Sequence, residues 1–146
     1  MMGERRGFTL VELTMVLVVA AIVMSAAIPM VGMMLESSKK AATLEEMLEL
    51  KRGIVGEPGV TSGGDFVQVG FEGDIGSPPP DLQALAQRPA AVPSYNRFTR
   101  TGWNGPYIDP NNQDYLTDAW GVAYAYDRDA RTITSVGSSE TIALSF

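Results

Sequence analysis

Hydrophobic and polar positions divide the chain into two regimes. Residues 13–35 carry no charged side chain and are dominated by Leu, Val, Ile, Ala and Met. At 1.5 Å per residue this run makes a helix of about 34 Å, enough to cross a hydrocarbon core of ~30 Å. Beyond it the pattern turns amphipathic. Ala41, Leu44, Met47, Leu48 and Lys51 follow helical spacing, and Glu36 stands four residues before Lys40. No glycine or proline interrupts the second half until Gly53. The simplest prediction is one long helix from about Phe8 to about Arg52, half in membrane and half amphipathic, whose second half needs a cover.

Residues 53–101 read as an irregular connection, rich in glycine and proline. Val67, Val69 and Phe71 alternate as a brief strand, and Asp81 reads as the N-cap of a short helix at 81–87, closed by Pro89. From 102 onward, Trp103, Tyr107, Tyr115 and Trp120 lie in turn-rich sequence, where aromatics fill gaps between loops and core. Val122, Tyr124 and Tyr126 alternate with alanines as a strand, 131–136 returns as a second, and Ile142, Leu144 and Phe146 mark a third. The fold class predicted is α+β: a long N-terminal helix packed against a small antiparallel sheet of about three strands.

Composition narrows the chemistry. The 146 residues carry a net charge of −6, and the +1 of Glu4, Arg5 and Arg6 leaves −7 for the rest. That balance argues against a nucleic-acid partner, which needs a basic face. With no cysteine and no histidine there is no disulfide, thiolate nucleophile or imidazole ligand. No GxxxxGK[ST] run exists, so the glycine-rich stretch is no phosphate cradle. Asp109, Asp114, Asp118, Asp127 and Asp129 are the acid–base groups a membrane-tethered carboxylate hydrolase would use, but aspartate is expected at turns for backbone reasons.

The apolar run has its own chemistry. Glu12 is the one charge near its start, and a carboxylate there costs about 3 kcal/mol even on mild insertion scales. An ordinary membrane anchor would let Glu12 reach the interface. A removable secretory signal would end near the small Ala26 and Ala27, yet the apolar run continues past them. Pro29 cannot donate to the Ser25 carbonyl, so the helix loses a bond there, and Gly32 weakens the same stretch. A tolerated membrane proline and a segment that loosens on assembly are both open readings.

Gly7, Phe8, Thr9, Leu10, Val11 and Glu12, preceded by Arg5 and Arg6, closely resemble the type IV prepilin signature. Pro29 also falls where that family commonly carries a proline. The resemblance implies a leader at 1–7, cleavage between Gly7 and Phe8 by prepilin peptidase, and N-methylation of Phe8. It further implies a membrane and filament-core segment at 8–35, a globular domain at 36–146, and homo-oligomeric assembly into a helical filament. Charge counting leaves orientation open, since Arg5 and Arg6 are matched by Lys39 and Lys40. The resemblance implies the leader in the cytoplasm and the C-terminal domain in the periplasm, held by the inner membrane. Cleavage would create an amine on Phe8, which Glu12 meets either within its own helix or from an adjacent subunit.

A second resemblance rests on W-N-G-P-Y at 103–107, on D-A-W-G-x-x-Y-x-Y at 118–126, and on S-V-G at 135–137. It points to the major (G-type) pseudopilins of type II secretion, with an assembly platform and other pseudopilins as partners. Those subunits continue after this glycine with a calcium-binding loop. Here Ser138, Ser139 and Glu140 follow, so the calcium site is not carried over and no cofactor is expected. Asp127 and Asp129 remain a candidate ion-holding pair, against the plainer reading as solvated turn residues. A structural pseudopilus subunit that drives protein export leads. A type IV pilus major or minor pilin, serving adhesion, motility or DNA uptake, is the alternative, and the hydrolase is remote.

Overall fold

The computed structural model of the chain describes residues 7, 9–57, 59, 61–62, 65–66, 69–111 and 113–146. It forms two compact units, Met1–Ser38 and Lys39–Phe146, with helix α1 (Leu10–Val55) contributing to both. At the start of α1, Thr9 is the cap. Its Oγ1 accepts from the Glu12 N–H at 3.2 Å and its carbonyl from the Leu13 N–H at 3.1 Å, satisfying two donors that a helix start leaves unpaired. Gly53 does not stop the helix, as its type had suggested. It is buried inside the last turn, where a Cβ would stand 3.1 Å from Ile108 Cγ2, so it serves close packing. The stop comes at Gly56, whose φ of 78° no β-branched residue adopts readily and whose N–H reaches the Arg52 carbonyl at 2.8 Å.

Within Lys39–Phe146, the buried stripe of α1 is Thr43, Met47, Leu50 and Ile54, each 1% exposed or less. This differs from the expected stripe: Leu44 and Leu48 are 44% and 40% exposed. Only Met47 belongs to both. The stripe is set by what covers it, and Thr43 takes its first position because its Oγ1 accepts the Ala119 N–H at 3.1 Å. The core is completed by Phe71, Leu82, Leu85, Ile108, Tyr124 and Ile133.

Phe71 reaches that core from a short helix, α2 (Gly70–Ile75), and not from the strand its alternation with Val69 suggested; Val67 lies outside the described residues. Before it, two-residue strands β1 (Thr61–Ser62) and β2 (Asp65–Phe66) pair antiparallel. Gly70 makes α2 possible. Its φ is 66°, and a Cβ there would lie 2.7 Å from the Ile54 carbonyl oxygen and nearer still to the Gly56 nitrogen. Gly70→Ala should therefore destabilise the fold by ~2 kcal/mol or more, from a left-handed backbone plus a backbone collision. Urea unfolding of the detergent-solubilised full chain checks this, and an unchanged midpoint would refute it.

The segment expected as a short helix at 81–87 is a 3-10 turn, Leu82–Leu85. Asp81 caps it, accepting the Ala84 N–H at 2.9 Å, while Leu82, Ala84 and Leu85 are buried. Strands β3 (Ala125–Asp127), β4 (Thr132–Ser135) and β5 (Ile142–Ser145) form an antiparallel sheet in the order β3-β4-β5. Tyr126 pairs with Ile133, and Ile133 with Leu144. β3 is shorter than the Val122–Tyr124–Tyr126 alternation suggested, because Val122 and Tyr124 give their N–H groups to the Asp118 side chain and the Leu116 carbonyl. The result is the α+β arrangement of one long helix and a small three-stranded sheet.

Candidate functional site

The candidate site begins with what the N-terminal unit exposes. From 10 to 35 every described side chain is exposed except Ala20, which is partly so. Leu10, Met15, Ile22, Met24, Met33 and Met34 are each more than 60% exposed. Soluble monomers seldom show a contiguous apolar surface of this extent, so lipid or other apolar helices are its natural surroundings. α1 is long and apolar enough to cross a membrane.

The polar side chains of this stretch are mostly satisfied by their own helix. Thr14 Oγ1 donates to the Val11 carbonyl at 2.8 Å, and Ser25 Oγ to the Ile22 carbonyl at 2.9 Å. Such back-bonding removes the cost of a hydroxyl in an apolar medium. Glu12 is the exception. It is the only ionisable side chain between 10 and 35, and it is exposed in the first turn of α1. The helix N-terminus favours negative charge there, which is a modest compensation. Gly7 is exposed, while Phe8 and the leader at 1–6 lie outside the described residues. Pro29 and Gly32 lie within the span of α1.

Several carboxylates of the Lys39–Phe146 unit are engaged in structure. Asp118, 4% exposed, accepts four hydrogen bonds. Oδ1 takes the N–H groups of Trp120 and Val122 at 3.0 and 2.9 Å, and Oδ2 takes Ser135 Oγ and the Gly137 N–H at 2.6 and 3.0 Å. Burial pushes this carboxyl up, but the four donors together hold it below the usual aspartate range. Asp74 goes the other way. Burial raises it more than the bond from the Tyr107 hydroxyl, 2.9 Å long, lowers it. Burial likewise raises Glu46, which accepts the Tyr124 hydroxyl at 2.8 Å and sits among Asp114, Glu49 and Asp118.

At the surface, Asp109 accepts from Asn111, and Asp127 Oδ1 accepts the N–H groups of Asp129 and Ala130 at 3.0 and 2.8 Å, as turn residues do. Asp114 lies in the 3-10 turn Gln113–Leu116. Glu140 pairs with Lys40 at 2.8 Å, which lowers its carboxyl. Calcium needs six to eight oxygens, and among the described residues no three His, Cys, Asp or Glu side chains are placed to hold a metal. The aspartates singled out as acid–base candidates thus lie at turns: Asp127 and Asp129 share one, while Asp109, Asp114 and Asp118 belong to others. Asp118 has the most built environment, and its role was foreshadowed only by the Asp-x-x-Gly spacing of a side-chain-closed turn.

The aromatic runs fasten loops. Trp103 Nε1 donates to the Ala84 carbonyl at 3.0 Å, and its ring meets Tyr107 edge to face at 5.9 Å. Tyr107 in turn meets Phe71 at 5.7 Å. At the sheet edge, Arg131 makes a two-pronged pair with Glu72 at 2.8 Å, lies over the Phe146 ring and donates to its carbonyl, which ties α2 to the C-terminus.

Residues 2–28 match the family described as the prokaryotic N-terminal methylation motif. The match takes in Gly7, Phe8 and Glu12 and stops one residue before Pro29; none of it falls within Lys39–Phe146. Comparison with curated proteins and with solved structures gave no match.

Proposed function

We propose that the chain is a non-enzymatic subunit of a periplasmic pseudopilus in a type II secretion system. It is made as a single-pass inner-membrane precursor, cut by prepilin peptidase between Gly7 and Phe8, methylated on Phe8, and drawn with its copies into a helical filament whose growth drives protein export. The observation that carries this reading is the N-terminal methylation motif on a helix whose described side chains between 10 and 35 leave an apolar surface bare. Glu12 serves assembly: in apolar surroundings its carboxylate takes the Phe8 amine of a neighbouring subunit, which neutralises both charges and fixes axial register. Pro29, which leaves the Ser25 carbonyl without its usual donor, is the point at which the packed helix loosens.

Support for the secretion branch comes from the W-N-G-P-Y and D-A-W-G runs and from the absence of a cysteine pair. The test is to co-express the full chain with a prepilin peptidase and a secretion assembly platform in an enveloped bacterium. Filaments should be retained beneath the outer membrane and contain this subunit as their main component. Recovery of the subunit in filaments sheared from intact cells would assign it to a surface pilus instead.

A further inference from the structure

The connection between the 3-10 turn and the sheet carries a feature that none of the foregoing uses. Residues 94–103 double back as a narrow hairpin. The Tyr95 N–H reaches the Trp103 carbonyl at 3.1 Å and the Asn96 N–H the Thr101 carbonyl at 2.8 Å. Its base is fixed twice, by Trp103 Nε1 on the Ala84 carbonyl and by the Gly102 N–H on the Asp74 carbonyl at 3.0 Å. Its tip is ordered too, since Asn96 Oδ1 accepts the Phe98 N–H at 2.9 Å and the Thr99 and Thr101 hydroxyls share a bond of 2.8 Å. On that tip Phe98 is 84% exposed, against 56% for Val136, the next most exposed large apolar side chain among the described residues of the Lys39–Phe146 unit. Arg97 lies over its ring at 5.0 Å and Arg100 follows two residues on. A scattered surface phenylalanine means little, but one on a braced tip between two arginines has the make-up of an interface anchor.

The same unit carries the complement. A groove of about 580 Å³ runs along α1 beside the 114–121 loop, lined by Glu45, Glu46, Glu49 and Asp114 together with the small apolar side chains of Ala42 and Ala119. Glu45 and Glu49 are exposed and make no ion pair among the described residues. Like charges concentrated on one face favour a cationic partner.

We infer that the Arg97–Phe98–Arg100 tip of one subunit docks into the Glu45/Glu49 groove of a second copy of the same chain. Because tip and groove are different surfaces, each copy offers one of each. The contact is therefore head-to-tail and propagates into an open helical array unless the rotation closes a ring. Phe98 supplies the desolvated anchor over Ala42 and Ala119, and the arginines supply steering and register, so the contact weakens as salt rises. This deepens the filament reading and rests on it, adding a contact between globular units to the one between helices.

The chain has no cysteine, which makes crosslinking clean. In the full chain assembled with its peptidase and platform, the Ala42→Cys, Thr99→Cys double variant should give, on oxidation, a ladder of dimers, trimers and higher species, and neither single variant should. Arg97→Glu with Phe98→Ser should cut filament yield roughly tenfold or more, the size expected for truncating an aromatic anchor. Glu49→Arg should restore part of the yield to Arg97→Glu alone. Filaments of wild-type yield from the double-substituted tip, or no ladder from the cysteine pair in filaments that do form, would overturn the docking while leaving the subunit reading intact. Absence of filaments from the unsubstituted chain would overturn that reading itself.

Discussion

Replacing Asp118 with asparagine should unfold the globular unit under conditions where the unsubstituted chain is stable. The carboxylate is 4% exposed and ends four hydrogen bonds, from Trp120, Val122, Ser135 and Gly137. Asparagine keeps the volume but turns an acceptor oxygen into a donor. With the nitrogen in the Oδ2 place, the Ser135 hydroxyl can turn to accept from it but the Gly137 N–H loses its partner. With the nitrogen in the Oδ1 place, both the Trp120 and Val122 N–H groups do, so at least one backbone donor is orphaned in a dry site. An unsatisfied buried donor costs about 1–3 kcal/mol, and the bonds lost are to a charged group, so a loss of roughly 3 kcal/mol is expected. Gly137 limits any relaxation, because a Cβ at that position would already collide with the Asp118 carboxylate. Urea unfolding of the detergent-solubilised full chain, followed by tryptophan fluorescence, reads the difference.

The same group gives a pH signature. Its folded-state pKa lies below the usual aspartate value, so its stabilising contribution is complete above an unfolded pKa of ~3.9. That contribution is lost as pH falls through the folded value. The gap in stability between the chain and Asp118→Asn should therefore be constant near neutrality and shrink below about pH 4. Asp74, which burial raises and on which Asp118 does not act, contributes equally to both proteins and cancels in the difference. Glu46 does not cancel fully, because the Asp118 charge is among the causes that raise it. A gap that persists unchanged at the lowest pH would mean that the carboxylate is not what holds the loop.

Glu12→Ala should leave the precursor correctly cut and membrane-bound but unable to enter filaments. Thr9 caps α1 through its own side chain and carbonyl, and from the Glu12 position it uses only the backbone N–H, which alanine retains. The helix start therefore survives the substitution. In the proposed filament, what is lost is the partner of the Phe8 amine, and breaking such a buried pair by removing one member costs about 3–5 kcal/mol. Repeated at every subunit of a filament, that cost should abolish assembly. Sedimentation of sheared filaments against total mature subunit reads it. Wild-type filament yield from Glu12→Ala would remove the proposed role of the carboxylate.

Much of this architecture is legible in the residues, and the illegible parts share a physical cause. The bare helix, its solitary carboxylate, the Asp81 cap and the alternation of Ile142 and Leu144 in β5 are local signals, set by hydrophobic runs and by residue types with narrow roles. Thr43 was hidden because a polar residue heads the buried stripe of α1 and is satisfied there by the Ala119 N–H, 76 positions away. Phe71 alternates like a strand residue but folds into α2, because Gly70 lets the chain approach the end of α1. Gly53 reads as a stop and is a contact surface for Ile108. Asp118 reads as one of several turn aspartates, and what sets it apart is Ser135 and Gly137, brought to it by β4. In each case tertiary contacts overrule a local preference.

The subunit account stands most directly on the covalent state of the N-terminus. Intact mass and fragment spectra of the protein, taken from cells that contain a prepilin peptidase, should show a chain beginning at Phe8 and carrying one methyl group on its amine. A chain that retains Met1, or one that begins after Ala27, would contradict it.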